Sequence, residues 1–131
     1  MALSASIINF GYLASRLCLS AVFIYSAVDK LGHWREGVDE VTMLKLPLPA
    51  VFVALTILIQ FTGGSAVACG VIVMPAALLL ATFTVIATLV GHRFWLLHGI
   101  SARRELTTSL EHLAIVGGLC MLALHSLTIH P

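Results

Sequence analysis

One arginine, Arg16, lies in the middle of a long apolar stretch with no other charge near it. At the centre of a membrane helix an arginine costs about 2.5–3.5 kcal/mol to insert. It must therefore face a bundle interior, a watery cavity or a partner. Its guanidinium offers a fork of donors and does not deprotonate in practice. Gln60 stands near the middle of a second apolar stretch, at comparable depth, and can hydrogen-bond across a bundle. Arg16 and Gln60 would then form one polar spot at mid-membrane, without a carboxylate at that level. Such a spot suits a quinone carbonyl, a fatty acid or a lipid headgroup. The alternative is that Arg16 bonds backbone carbonyls and hydroxyls, such as those of Thr56 or Thr62, and only holds the helices together.

A second set of polar residues gathers at the ends of apolar stretches: Asp29 and Lys30, His92 and Arg93, Glu111 and His112. If successive helices alternate in direction, all six come to one level and form a polar mouth. Lys30 or Arg93 would neutralise Glu111 and Asp29 there. Imidazole titrates near neutral pH, so His92 and His112 are also candidate proton carriers. A metal would draw on His92, Glu111 and His112, helped by His33 or His98. Two ligands from one helix turn, as HxxxH or ExxH supplies, are missing, and no metal is expected. His125 and His130, at the far end, read as ordinary interface residues.

These groups need helices in lipid to position them. The chain is 60% hydrophobic and 10% charged, with a mean hydropathy of +1.05. A soluble domain carries about a quarter charged residues, so the surface of a water-soluble globule could not be covered. A net charge of +1 gives no basis for a nucleic-acid partner. Cys18, Cys69 and Cys120 lie one to each of three apolar stretches and match neither a disulfide framework nor a zinc site. Crossing roughly 30 Å of hydrocarbon takes about 20 apolar residues. Residues 7–28, 50–70, 75–97 and 109–128 qualify, which predicts an all-α, four-helix membrane bundle forming a single domain. Residues 1–9 hold no Lys or Arg, so the first stretch reads as a retained span rather than a cleaved signal.

Charge then orients the bundle. Lys30, Arg35 and Lys45 fall between the first two spans, and Arg93, Arg103 and Arg104 between the last two. The termini and the turn near residues 71–73 carry no Lys or Arg. The positive-inside rule puts both charged connections in the cytoplasm and both termini outside. In residues 34–46, Trp34, Val38, Val41 and Leu44 or Leu46 recur at near-helical spacing. Charged Arg35, Glu36, Asp39 and Glu40 lie mostly between them. A short amphipathic helix at the interface fits, as does a helical loop packed on the bundle. Small residues four apart, such as Gly64 and Ala68 or Ala77 and Ala81, let helices approach closely.

In their order and spacing, several segments resemble the DoxX family. They are Arg16-Leu17 with Phe23 and Asp29-Lys30-Leu31, the Leu46-Pro47-Leu48-Pro49 lead-in, and Gln60-Phe61-Thr62-Gly63-Gly64. Ala87-Thr88 to His92-Arg93-Phe94-Trp95 and Leu113-Ala114-Ile115-Val116-Gly117-Gly118 complete the set. The likeness runs from about residue 16 to 124. It implies a four-helix protein of the bacterial inner membrane, of a kind that includes small subunits linked to thiosulfate:quinone oxidoreduction and terminal quinol oxidation. Other members are partners in membrane redox or stress complexes. Gln60 stands where many relatives carry a glutamate, and Glu111-His112 where a Lys-Asn pair is frequent.

Three readings of function follow. In the first, the chain is an accessory redox subunit: Arg16 and Gln60 bind a quinone, and His92 or His112 relays protons. It has no haem ligand pair, flavin motif or iron–sulfur cysteines, so electrons would come from a partner. In the second it is a non-catalytic anchor whose face at residues 34–45 and 98–105 docks an enzyme. In the third it is a small carrier of lipids or hydrophobic acids, which with four spans and no internal repeat would need a homo-oligomer.

Overall fold

The computed structural model describes residues 1–129, with the side chains of Ala2 and Ile129 left aside; His130 lies outside the described residues. The chain forms α1 (Ala2–Gly32), α2 (Trp34–Met43), α3 (Pro49–Cys69), α4 (Val73–Gly91), a 3₁₀ turn (Phe94–Leu96) and α5 (Gly99–Ile129). Among the described residues there is no strand. The four long helices are each long and apolar enough to cross a membrane.

Their lengths are unequal. At about 1.5 Å per residue, the 21 residues of α3 and 19 of α4 match a hydrocarbon core. The 31 residues of α1 and of α5 overshoot it. Both helices run past the apolar stretches expected to span, 7–28 and 109–128. Nothing between Gly99 and Ile129 stops a helix: there is no proline, and Arg103, Arg104 and Glu105 are tolerated once the helix has left the apolar layer. The charged connection expected between the last two spans is thus only the few residues around the 3₁₀ turn. Leu97 is extended, and Gly99 at φ 67° redirects the chain into α5.

Around the bundle, α1 packs on α3, α3 on α4, α4 on α5 and α5 back on α1. Small residues make this possible. Ala76, Ala77 and Ala81 of α4 are buried beside Leu80, Val67, Phe23 and Leu119. A Cβ on Gly63 would lie 2.9 Å from Leu80 Cδ2, and one on Gly64 would lie 3.0 Å from Ile24 Cγ1. Outward, large apolar side chains such as Leu17, Phe61, Leu79, Leu89 and Leu124 are exposed, as lipid contact requires. Within the spans, hydroxyls satisfy themselves on the preceding turn: Ser20 on Arg16 O, Thr62 on Leu58 O, Thr84 on Leu80 O.

The amphipathic segment is α2. Val38 and Val41 pack on a cluster of Ala27, Val53 and Ile57, and buried Gly37 lets α2 lie close to Val53. Trp34 stays half exposed at its start. Helix α2 therefore belongs to the bundle as well as to its edge.

Gly63→Ala should lower the thermal midpoint of the detergent-solubilised protein, since overpacking costs about 1–3 kcal/mol. Adding Leu80→Ala should cost less than the two separate losses combined, because it removes the clashing branch. Additive losses would mean that the Gly63–Leu80 approach does not set the α3–α4 distance.

Candidate functional site

Arg16 reaches across to the C-terminus of α3. Its Nε donates to Val67 O at 2.9 Å and its Nη2 to Ala68 O at 2.6 Å. The last carbonyls of a helix lack intrahelical partners and carry the negative end of the helix dipole, so a cation there is stabilised without a carboxylate. Gly70, at φ 76°, ends α3; a Cβ there would meet Arg16 Nη2 at 2.5 Å. The guanidinium also lies over the Tyr12 ring, 5.4 Å from its centroid. Arg16 is in the middle of α1 but level with the α3–α4 turn, because α1 overshoots α3.

Gln60 is elsewhere. It is buried on α3 seven residues before Val67, about 10 Å along the helix axis. Its Oε1 has no hydrogen-bond partner among the described residues. The two residues expected to form one polar spot are therefore not brought together: one clamps a helix end, the other lies deeper in the bundle.

At the charged end, the expected neutralisation among Lys30, Arg93, Glu111 and Asp29 gives way to other partners. Lys30 Nζ donates to Ser26 Oγ at 2.9 Å, and Arg93 Nε to Val90 O at 3.1 Å. Asp29 pairs with His33, whose Nδ1 lies 3.1 Å from Asp29 O and 3.3 Å from its carboxylate. Hydrogen bonding to the Asp29 carbonyl, then the charges of Asp29 and Glu36, raise the pKa of this exposed imidazole. Glu111 is exposed and forms no ion pair among the described residues.

His92 and His112 do come together, with ring centroids 5.0 Å apart and edge to face. His92 Nδ1 is 2.6 Å from Glu105 Oε2, and His112 Nδ1 is 2.8 Å from Thr88 Oγ1. Glu105 and Thr88 were not anticipated from sequence. A signal for them exists: Glu105, Ser109 and His112 share one face once α5 is known to start at Gly99. At 5 Å and an effective dielectric of 20, two imidazolium charges would repel by roughly 3 kcal/mol. A slot of about 130 Å³ opens beside this cluster, lined by Thr88, Ser109 and His112 with Val85, Leu89, Leu113 and Val116. Among the described residues, no three His, Cys, Asp or Glu side chains are grouped to hold a metal ion.

A larger cavity than this slot lies at the opposite end. A groove of about 530 Å³ runs between α1 and α5, with Ile8, Tyr12, Ser15, Cys18 and Leu19 on one wall and Gly118, Met121, Leu122 and His125 on the other. Gly118 brings α5 close to Leu19. Beyond that contact, small Ser15 and Cys18 leave the walls apart. Tyr12 and His125 meet with ring centroids 4.9 Å apart, giving a mainly apolar groove one aromatic, polar patch. His125, expected to be an ordinary interface residue, lines this groove.

A family model for DoxX matches residues 11–93, more than half of the chain. The chain belongs to the DoxX family. With four apolar helices, this DoxX protein is a multi-pass membrane protein. The match takes in Tyr12, Arg16, Gln60, Thr88 and His92 but ends before α5, so Glu105, His112 and His125 lie outside it. No curated protein and no solved structure matches the chain.

Replacing Arg16 by Gln should destabilise this DoxX protein by about 2 kcal/mol, the scale of a lost charged hydrogen bond. Arg16→Lys should fall between the two, keeping the charge at the helix end but not the fork. Unfolding midpoints of the three proteins in one detergent would show this order. An Arg16→Gln protein as stable as the parent would contradict the clamp.

Proposed function

We propose that the protein is an accessory subunit of quinone-linked redox metabolism in the bacterial inner membrane, holding a quinone-like or lipidic ligand in the groove between α1 and α5. The observation that carries this reading is the groove itself. Its volume falls in the usual range for small-molecule sites, and its few polar groups are concentrated at Tyr12, Ser15 and His125. A long apolar tail fits the walls formed by Ile8, Leu19, Met121 and Leu122, and a ring with carbonyl or hydroxyl groups fits the Tyr12–His125 patch. Arg16, at the back of Tyr12, uses Nε and Nη2 on α3. Arg16 stands behind Tyr12 rather than on the groove wall, and its positive charge there would favour an anionic or carbonyl-bearing headgroup. Gln60 is too deep on α3 to share that headgroup, and in this reading it acts within the bundle.

Six of the seven Lys and Arg residues, all but Arg16, lie on the side of the α1–α3 connection and the α4–α5 end. The positive-inside rule places that side in the cytoplasm and the groove toward the outer face. A quinone there would exchange electrons with a partner, since the chain has no redox centre of its own that its sequence reveals.

A second reading, a non-catalytic anchor, is favoured by Arg103 and Arg104, which are exposed on α5 and form no ion pair among the described residues. Native mass spectrometry of protein released from its own membranes separates the two. The ligand reading expects a bound mass matching an isoprenoid quinone or lipid, lost in Tyr12→Ala and His125→Ala but kept in the double charge reversal Arg103→Glu, Arg104→Glu. A protein partner with no small-molecule adduct, released by that charge reversal, would replace it with the anchor.

A further inference from the structure

At the end of the bundle away from the groove, His92 and His112 form a unit that the ligand reading does not use. Each ring is held through Nδ1. The 2.6 Å contact of His92 with Glu105 is a charge-assisted bond in which Nδ1–H donates to the carboxylate. Thr88 gives its one hydroxyl proton to Thr84 O, 2.7 Å away, so its oxygen accepts from His112 Nδ1 at 2.8 Å. This hydrogen-bond pattern assigns both neutral rings the Nδ1–H tautomer and leaves each Nε2 as the proton-accepting atom. Neither Nε2 makes a hydrogen bond among the described residues.

With the rings 5.0 Å apart, edge to face, a proton on one ring opposes a proton on the other. Other charges around the pair do not replace this relation. On α5, Glu111 acts on His112 through space, and Arg103 and Arg104 are exposed. On the α4–α5 connection, Arg93 bonds Val90 O and His98 is exposed. Helix α3 has no charged residue or histidine, and at the end of α1 Asp29 and Lys30 are engaged with His33 and Ser26.

We propose that His92 and His112 are a one-proton exchange site, linking Glu105 at the charged end to the slot beside Thr88, Ser109 and His112. Glu105 holds the proton when it is on His92, the 5.0 Å approach of the rings keeps a second proton off the pair, and His112, which lines the slot, is the ring that exchanges a proton with it. Its ligand is the proton, and the site stands whether or not the groove between α1 and α5 holds a quinone.

The test is nitrogen NMR of the full chain, labelled on histidine and held in lipid nanodiscs, taken from about pH 8 to about pH 5, where imidazole ordinarily titrates. In the parent, the His92 and His112 signals should together gain one proton, spread over both rings. In His92→Gln, His112 should gain a full proton of its own along a simple one-site curve. In Glu105→Gln, the shared proton should move from His92 toward His112 while the total stays one. Should His92→Gln fail to fold, His112→Gln reads the same coupling from the other ring. Two full protons in the parent, none at all, or curves that ignore these replacements would overturn the proposal.

Discussion

The bond from Arg16 to the end of α3 is the interaction on which the rest of the arrangement depends. Helix α3 ends at Gly70, whose N–H bonds Val67 O, and Arg16 adds donors and charge to that carbonyl and to Ala68 O, which lipid cannot satisfy. That contact fixes how far α1 slides along α3. It leaves the first half of α1 beyond the α3–α4 turn, where its neighbour is the last part of α5. The groove follows from unequal helix lengths: two long helices continue past the end of a shorter hairpin and meet where Gly118 admits Leu19 and where Tyr12 reaches His125.

The same constraint sorts the polar residues. Most hydroxyls in the spans close onto their own helix and have nothing left to offer a ligand. The exceptions are informative. Thr88 accepts from a second helix, the Tyr12–His125 pair faces a groove, and Gln60 keeps a buried acceptor without a donor. An unmatched buried amide costs about 1–3 kcal/mol, so a bundle that retains one has a weak point at its centre. Polar contacts between helices thus gather toward the two ends, and the middle is packed by Ala77, Leu80 and Val67.

Much of the scaffold was legible in the sequence because lipid imposes long uninterrupted apolar runs. The four spans, the α2 pattern of Val38 and Val41, and the meeting of His92 with His112 could all be read from residue types and alternating helix direction. What stayed hidden has specific causes. Backbone acceptors leave no trace in a sequence, so the partners of Arg16 could not be named, although bonding to carbonyls was one of its two readings. Glu105 was missed because helix α5 continues through charged residues to Gly99, outside any hydrophobic window. The groove depends on Tyr12 and His125, which are brought together only by the overshoot of α1 and α5. The expected Arg16–Gln60 spot failed for the same reason: both are central in their own helices, but those helices are not centred on each other.

The most direct measurement is photo-crosslinking with a quinone carrying a light-activated group on its ring, in native membranes, followed by mapping of the labelled peptides. A ligand in the overshoot groove labels residues 8–19 of α1 and 118–125 of α5. Labelling of α3 around Gln60, with α1 and α5 unmarked, would contradict it and return the ligand to the middle of the bundle.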